Sequence, residues 1–333
     1  MLPQVRLQPW YPGQMGVDGS DVARGLRWST GAIVLYVDEN HPGASADNDG
    51  TDPENPLTTI ALAITRLIAF ATATSYSLVG SYIVVGAGAT IAETVVVPPT
   101  APAGVTIMGA GGSFARPTWT AATAAGTALT IRQEGWTVKG FNFAAGAAGT
   151  AISLAWVPGS SYVGNRCTII DNLFDGAWGG LYGINLVGAP YDTRIINNEF
   201  REYRRGDSTA HAIITTDASE ANAYMNRIEG NVFWENENHI GSLNNDRGFN
   251  NSLFIGNVFN EGVLIAATRM LDLRGGTRGE NIVVGNYFCG DYSNTGGYYA
   301  NAGAPGNWVG NYAEDVAEAE VGDNGITVAV PAP

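Results

Sequence analysis

Ile169-Ile170-Asp171-Asn172-Leu173-Phe174 returns as Ile195-Ile196-Asn197-Asn198-Glu199-Phe200, Ile228-Glu229-Gly230-Asn231-Val232-Phe233, Phe254-Ile255-Gly256-Asn257-Val258-Phe259 and Val283-Val284-Gly285-Asn286-Tyr287-Phe288. In each copy an Asn precedes a Phe by two residues. Trp308-Val309-Gly310-Asn311-Tyr312-Ala313 is a sixth copy, degenerate at its last position, and the Asn-to-Asn spacings are 26, 33, 26, 29 and 25 residues. Upstream, Val138-Lys139-Gly140-Phe141-Asn142-Phe143 fits the frame with its Asn shifted, and Thr106-Ile107-Met108-Gly109 is a further candidate turn. The copies are short, β-branched and aromatic, and bounded by Gly, Asn and Asp, so each reads as a strand. One strand motif per irregular period suits a coiled parallel solenoid, in which each coil buries its apolar residues only by stacking on the next. The repeated Phe should then form a column in the core. The repeated Asn should form an amide ladder or hold a turn, since its side chain bonds nearby backbone and it tolerates left-handed conformations.

The rest of the composition fits an ordered chain. Of 333 residues, 45% are apolar and 14% charged, so a core of ordinary density is within reach and disorder is excluded as the general state. The net charge of −14, with Lys139 the single lysine, repels phosphate backbones, and nucleic acid is not an expected partner. No window approaches 18 uninterrupted apolar residues, and Met1-Leu2-Pro3-Gln4-Val5-Arg6 lacks the start of a secretory signal, so neither membrane insertion nor export is expected. Cys167 and Cys289 lie four coils apart, roughly 19 Å at the strand spacing, too far for a disulfide.

These repeats resemble the right-handed parallel β-helix superfamily, the fold of pectate lyases and many phage tailspikes, over residues 33 to 316. The expected class is all-β, with an N-terminal capping α-helix. Val34-Leu35-Tyr36-Val37-Asp38, the Asp47-to-Thr51 turn and Asn55-Pro56-Leu57-Thr58-Thr59-Ile60 are similar to the lead-in of such proteins. Asn55 suits an N-cap and Pro56 the first helical position. An apolar stripe from Leu57 through Ile60, Ala61, Ile64, Leu67, Ile68 and Ala71 places the helix at about 56–72, where it can cover the open end of the solenoid. Residues 1–32, with Trp10, Tyr11 and Trp28, read as an extended arm used in assembly. Residues 317–333 form a tail with a possible last strand at Ile326-Thr327-Val328-Ala329-Val330.

Stacking the coils brings candidate side chains together. The fourth residue after the Asn is Glu202, Glu235 and Glu261 in three consecutive copies, a carboxylate column suited to acid catalysis or to Ca²⁺. Fanning into solvent is the competing reading. Asp47, Asp49 and Asp52 lack the Glu of a calcium loop, Thr58 standing there instead, so they read as a turn. The longest coil carries Arg204 and His211 and the next carries His239, while Trp178, Tyr203 and Trp234 can stack on sugar faces. Three scattered histidines make no metal set. The motifs of polygalacturonases and of the main pectate lyases are missing. A lyase needs a base beside the uronate carboxylate and a cation on it, and Arg269, Arg274 and Arg278 are further cationic candidates.

The resemblance to phage proteins implies a virion surface protein: a capsid-decorating knob or short spike, assembled in the host cytoplasm and docked through its arm onto capsid or tail proteins. A homotrimer is expected, with a surface glycan as a further partner and no cofactor. The alternatives are a polysaccharide lyase or glycoside hydrolase working through Glu202, Glu235, Glu261 and Arg204, and a non-catalytic carbohydrate-binding adhesin.

Overall fold

The computed structural model describes residues 32–74, 77–156, 164–188, 190–216, 223–243, 248–260, 269–273, 281–289, 299–301 and 308–313. The expected arm, apart from Ala32, and the expected tail lie outside them. The chain winds as an all-β, right-handed parallel β-helix with three long sheets and, among the described residues, a two-stranded one, Ala223–Tyr224 with Phe249–Asn250. Sheet 1 has ten strands, from Val34–Val37 to Trp308–Val309; sheet 2 has nine, from Thr90–Ala92 to Tyr312–Ala313; sheet 3 has eight, from Val95–Val97 to Tyr299–Asn301. From Tyr82 on, the chain passes through the long sheets in that order.

The repeated frame is a corner, where a single strand was expected. Thr168–Ile170 belongs to sheet 1 and Leu173–Asp175 to sheet 2, and the chain turns between them at Asp171-Asn172. The residue before each Asn has a left-handed φ, +56° at Asp171, +54° at Asn197, +62° at Gly230, +60° at Gly256 and +63° at Gly285. Gly, Asn and Asp are the residues that adopt this conformation at least cost, which is why they alternate there. The Asn that follows is buried and bonds to the coil below: its Oδ1 accepts the backbone N–H of the preceding ladder Asn, 2.9 to 3.0 Å away from Asn198 to Asn311. Its Nδ2 reaches carbonyls such as Ile169 and Ile195. Thus the one corner N–H that has no backbone acceptor, that of the Asn itself, is satisfied by the amide of the next coil. Phe141 occupies the corner below Asn172, and its N–H is the end donor of the ladder.

Two residues on, Phe143, Phe174, Phe200, Phe233, Phe259 and Phe288 stand in exact register. Successive rings stack at 5.2, 4.6, 5.0, 4.9 and 4.9 Å between centroids. Burying each is worth about 1.5–3 kcal/mol before the stacking itself is counted. A second polar ladder lines the corner between sheets 3 and 1, where Asn226, Ser252 and Asn281 accept the N–H of Thr193, Asn226 and Ser252.

The capping helix runs Ile60–Thr74, starting later than the Asn55-Pro56 reading. Leu57 is taken by a bridge to Val37, donating to the Tyr36 carbonyl and accepting from Asp38, so the chain is still extended there. Thr59 caps through its hydroxyl to Leu62 N–H. The Glu93 carboxylate, from the first coil, accepts the N–H groups of Ile60 and Ala61 at 3.0 and 3.2 Å. Ile60, Ala63, Ile64 and Leu67 seal the core. Asp49 and Asp52 accept backbone N–H groups within the turn that leads in.

Candidate functional site

Sheet 3 has the longest strands, among them Thr150–Ala155, Tyr182–Val187 and His211–Thr216. Leu129, Ile152, Ile184, Ile213 and Ile240 form its buried inner row. The residues that follow Leu129, Ile152 and Ile184 are the polar Thr130, Ser153 and Asn185, and this outward row continues with buried Ile214. At the start of the strands Thr150, Tyr182 and His211 are in register, and the rings of Tyr182 and His211 lie 6.3 Å apart at 58°.

His211 is fixed at its inner edge: Nδ1 lies 3.0 Å from the Thr209 carbonyl, which can only accept, so in the neutral ring Nδ1 carries the hydrogen and Nε2 is the basic nitrogen. Room for the ring comes from the next coil. A Cβ at Gly241 would fall 3.0 Å from His211 Cδ2 and Nε2, so a larger residue there would press on the imidazole. Asn185 and Thr216, on adjoining rungs, are joined by a 2.7 Å hydrogen bond.

The loop 204–210 completes the site. Buried Glu237 accepts the backbone N–H groups of Arg205, Ser208 and Ala210 at 3.1, 2.6 and 3.3 Å. Asn238 donates to the carbonyls of Ser208 and Ala210. The next coil therefore holds the loop. Burial raises the phenol pKa of Tyr182, and the guanidinium of Arg205, near enough to act on it, pulls the other way. A phenol and an imidazole thus share one corner, within electrostatic reach of the Arg205 guanidinium.

The structure redistributes the expected residues. His211 belongs to this corner. His239 does not: it is fully buried between Phe233 and Phe259, with burial lowering its pKa to about 3, because the strand start at 238–239 turns inward onto the Phe stack. Tyr203 is likewise core, fully buried with its pKa pushed well above the ordinary phenol value, since the left-handed turn at Glu202 sends the next side chain inside. Neither can stack on a ligand. Trp178 and Trp234 are half exposed, Trp234 on the outer face of sheet 2. Arg204 is buried beneath Trp178. Glu202 and Glu235 occupy equivalent turns on adjacent coils, donating their N–H to Trp234 and Asn260 carbonyls, while Glu261 lies outside the described residues.

Among the described residues, no group of three His, Cys, Asp or Glu is placed to hold a metal ion. Neither Cys167 nor Cys289 is in a disulfide. The Arg269 backbone pairs with Asn238, and Arg274, Arg278, Trp10, Tyr11 and Trp28 lie outside the described residues. Tyr182 and Gly241 escaped the sequence reading. Tyr182 lies ten residues after its coil's Asn and His211 thirteen after its own, so loop length hides a register that only the folded coils reveal.

No family model and no curated protein matches the chain. Among solved structures it is similar in backbone course to an alginate lyase from Paenibacillus sp. str. FPU-7, at 12% identity and a TM-score of 0.41, covering 72% of this chain and 96% of that one. A rhamnogalacturonan lyase aligns at 12% and 0.34, covering 79% and 71% of the two chains. The Azotobacter vinelandii mannuronan C-5 epimerase AlgE4 A-module aligns at 12% and 0.31, covering 84% and 91%.

Proposed function

We propose that this chain acts on an acidic polysaccharide, abstracting the proton beside a uronate carboxylate on the outer face of sheet 3. The observation that carries the reading is the pairing of Tyr182 and His211 on neighbouring rungs, their rings 6.3 Å apart, with the Arg205 charge within electrostatic reach of the phenol. In the reaction a cation must first neutralise the carboxylate so that the adjacent C5–H becomes acidic, the role assigned to Arg205. His211 Nε2 takes the C5 proton. The electron pair left behind forms the C4=C5 double bond as the C4–O bond breaks, and the departing oxygen takes the Tyr182 proton. A phenol holds its proton at neutral pH and so is protonated when the leaving oxygen needs it. Water is not consumed, and the products are one shortened chain and one carrying the unsaturated sugar.

The test is incubation of the full chain with alginate, polygalacturonate and a neutral glucan, followed through the ultraviolet absorbance of the unsaturated product. Activity on a polyuronate that falls at least ~100-fold in both Tyr182→Phe and His211→Asn, with folding intact by circular dichroism, supports the reading. Absence of product from every polyuronate, or full activity in both variants, overturns it. The glutamate-based hydrolase remains a separable outcome, since it would yield new reducing ends without the absorbance. The virion-surface reading depends on the arm, and nothing among the described residues favours it.

A further inference from the structure

We propose that Trp178 is a sugar-stacking platform, a subsite for a pyranose ring of the glycan next to the Tyr182–His211 corner, with Arg204 as the residue that positions it. The inference rests on the preceding reading, which places a glycan on this face. Trp178 lies in the turn between sheets 2 and 3, four residues before Tyr182, and is 51% exposed. The Arg204 guanidinium carbon sits 3.9 Å from the centre of its ring, so one face of the indole is covered. A ligand therefore meets the other face or the edge.

Three features of the pair exceed what packing alone requires. First, Ala177 and Trp178 both have left-handed backbones, with φ of +45° and +61°, a conformation that a bulky side chain rarely adopts. Backbone bonds hold it there: Ala177 N–H to the Asp175 carboxylate at 2.9 Å, Trp178 N–H to the Glu202 carbonyl at 3.2 Å and Gly180 N–H to the Gly176 carbonyl at 2.7 Å. Second, Arg204 is only 7% exposed, and its Nη1 is buried with no hydrogen-bond partner. A methionine or leucine would fill that space without the desolvation cost of an unpaired guanidinium nitrogen. A flat, charged plate is kept, and it fixes the tilt of a flat ring. Third, the loop that supplies Arg204 also supplies Arg205, which acts on Tyr182. The platform and the reacting corner are thus carried by one clamped segment.

The ligand class follows from the surface. The open face of the indole suits a pyranose that offers a run of C–H bonds to the ring, with Arg204 behind it holding the tilt.

The experiment measures KM and kcat on long and on the shortest cleavable polyuronate oligomers for the full chain and for Trp178→Ala, Trp178→Phe and Arg204→Met. Binding to the same oligomers is measured in parallel by tryptophan fluorescence. We expect Trp178→Ala to raise KM on long oligomers about five- to tenfold, far more than it lowers kcat, with Trp178→Phe recovering most of the loss and Arg204→Met lying between. The shortest oligomers should show a smaller change. Unchanged KM in Trp178→Ala on an active protein overturns the platform and leaves the lyase reading standing. Oligomer binding that Trp178→Ala weakens in a protein yielding no product upholds the platform and overturns the lyase reading. No binding by the native chain overturns both.

Discussion

Replacing Asn231 with alanine should destabilise the solenoid by about 2–5 kcal/mol, although the substitution removes no apolar surface. Four buried hydrogen bonds end at this side chain. Its Oδ1 accepts from Asn198 N–H at 2.9 Å and from Asn198 Nδ2 at 3.1 Å; its Nδ2 donates to the Ile195 carbonyl at 2.8 Å and to Asn257 Oδ1 at 3.1 Å. Removing the amide leaves the Asn198 N–H with no other acceptor at a corner closed to water, at about 1–3 kcal/mol for the unpaired donor alone. The remaining three bonds add about 0.5–1.5 kcal/mol each, discounted because Asn198 Nδ2 keeps the Ile169 carbonyl and Asn257 Oδ1 keeps the Asn231 backbone N–H. Asn142→Ala is the matched control. Asn142 is an Asn of the same frame displaced by one residue, half-buried on the outer face, whose side chain makes a 3.3 Å bond to Thr118. Its loss should cost under about 1 kcal/mol. Urea titrations of the three proteins, followed by far-ultraviolet circular dichroism, give the difference from the shift in midpoint. Equal midpoints for Asn231→Ala and Asn142→Ala would refute the claim that the corner amides, as distinct from the Phe column, hold the coils in register.

Phe200→Ala should cost about 3–5 kcal/mol in the same titration, because it opens a gap in a stack whose neighbouring rings lie at 4.6 and 5.0 Å; a loss under about 1 kcal/mol would mean the column collapses freely. Glu93→Ala should lower stability by about 1–2 kcal/mol by uncapping the helix, with loss of far-ultraviolet helical signal preceding that of the sheets on heating. His239 is held at about 3 in the folded chain against ~6.5 unfolded, so below pH 6.5 the unfolded chain takes up a proton that the folded one refuses. Its effect is absent above pH 6.5 and grows to at most ~5 kcal/mol of destabilisation as pH falls to 3, so His239→Leu should flatten the acid limb of the stability profile, and an unchanged limb would refute the assignment.

The sequence by itself determined the fold, through the repetition of a corner. Asn172, Asn198, Asn231, Asn257, Asn286 and Asn311 mark a position where backbone groups lose their strand partners and an amide must replace them, and Phe two residues on marks the first inward position of the next strand. Both demands are local and recur once per coil, so they are written at a readable interval. The helix was legible as a stripe, but its start was displaced because Leu57 is drawn into a bridge with Val37. The candidate site was only partly legible. His211 and Trp178 could be named from their types, yet the same reasoning named Tyr203 and His239, which the left-handed turn at Glu202 and the inward strand start turn into core. What decides between them is the length of each loop between sheets 2 and 3. That length varies from coil to coil and leaves no periodic trace, whereas the stacking of rungs sets Tyr182 against His211 and opens the space over Gly241. Periodic contacts are encoded in spacing; contacts between irregular loops exist only once the coils are stacked.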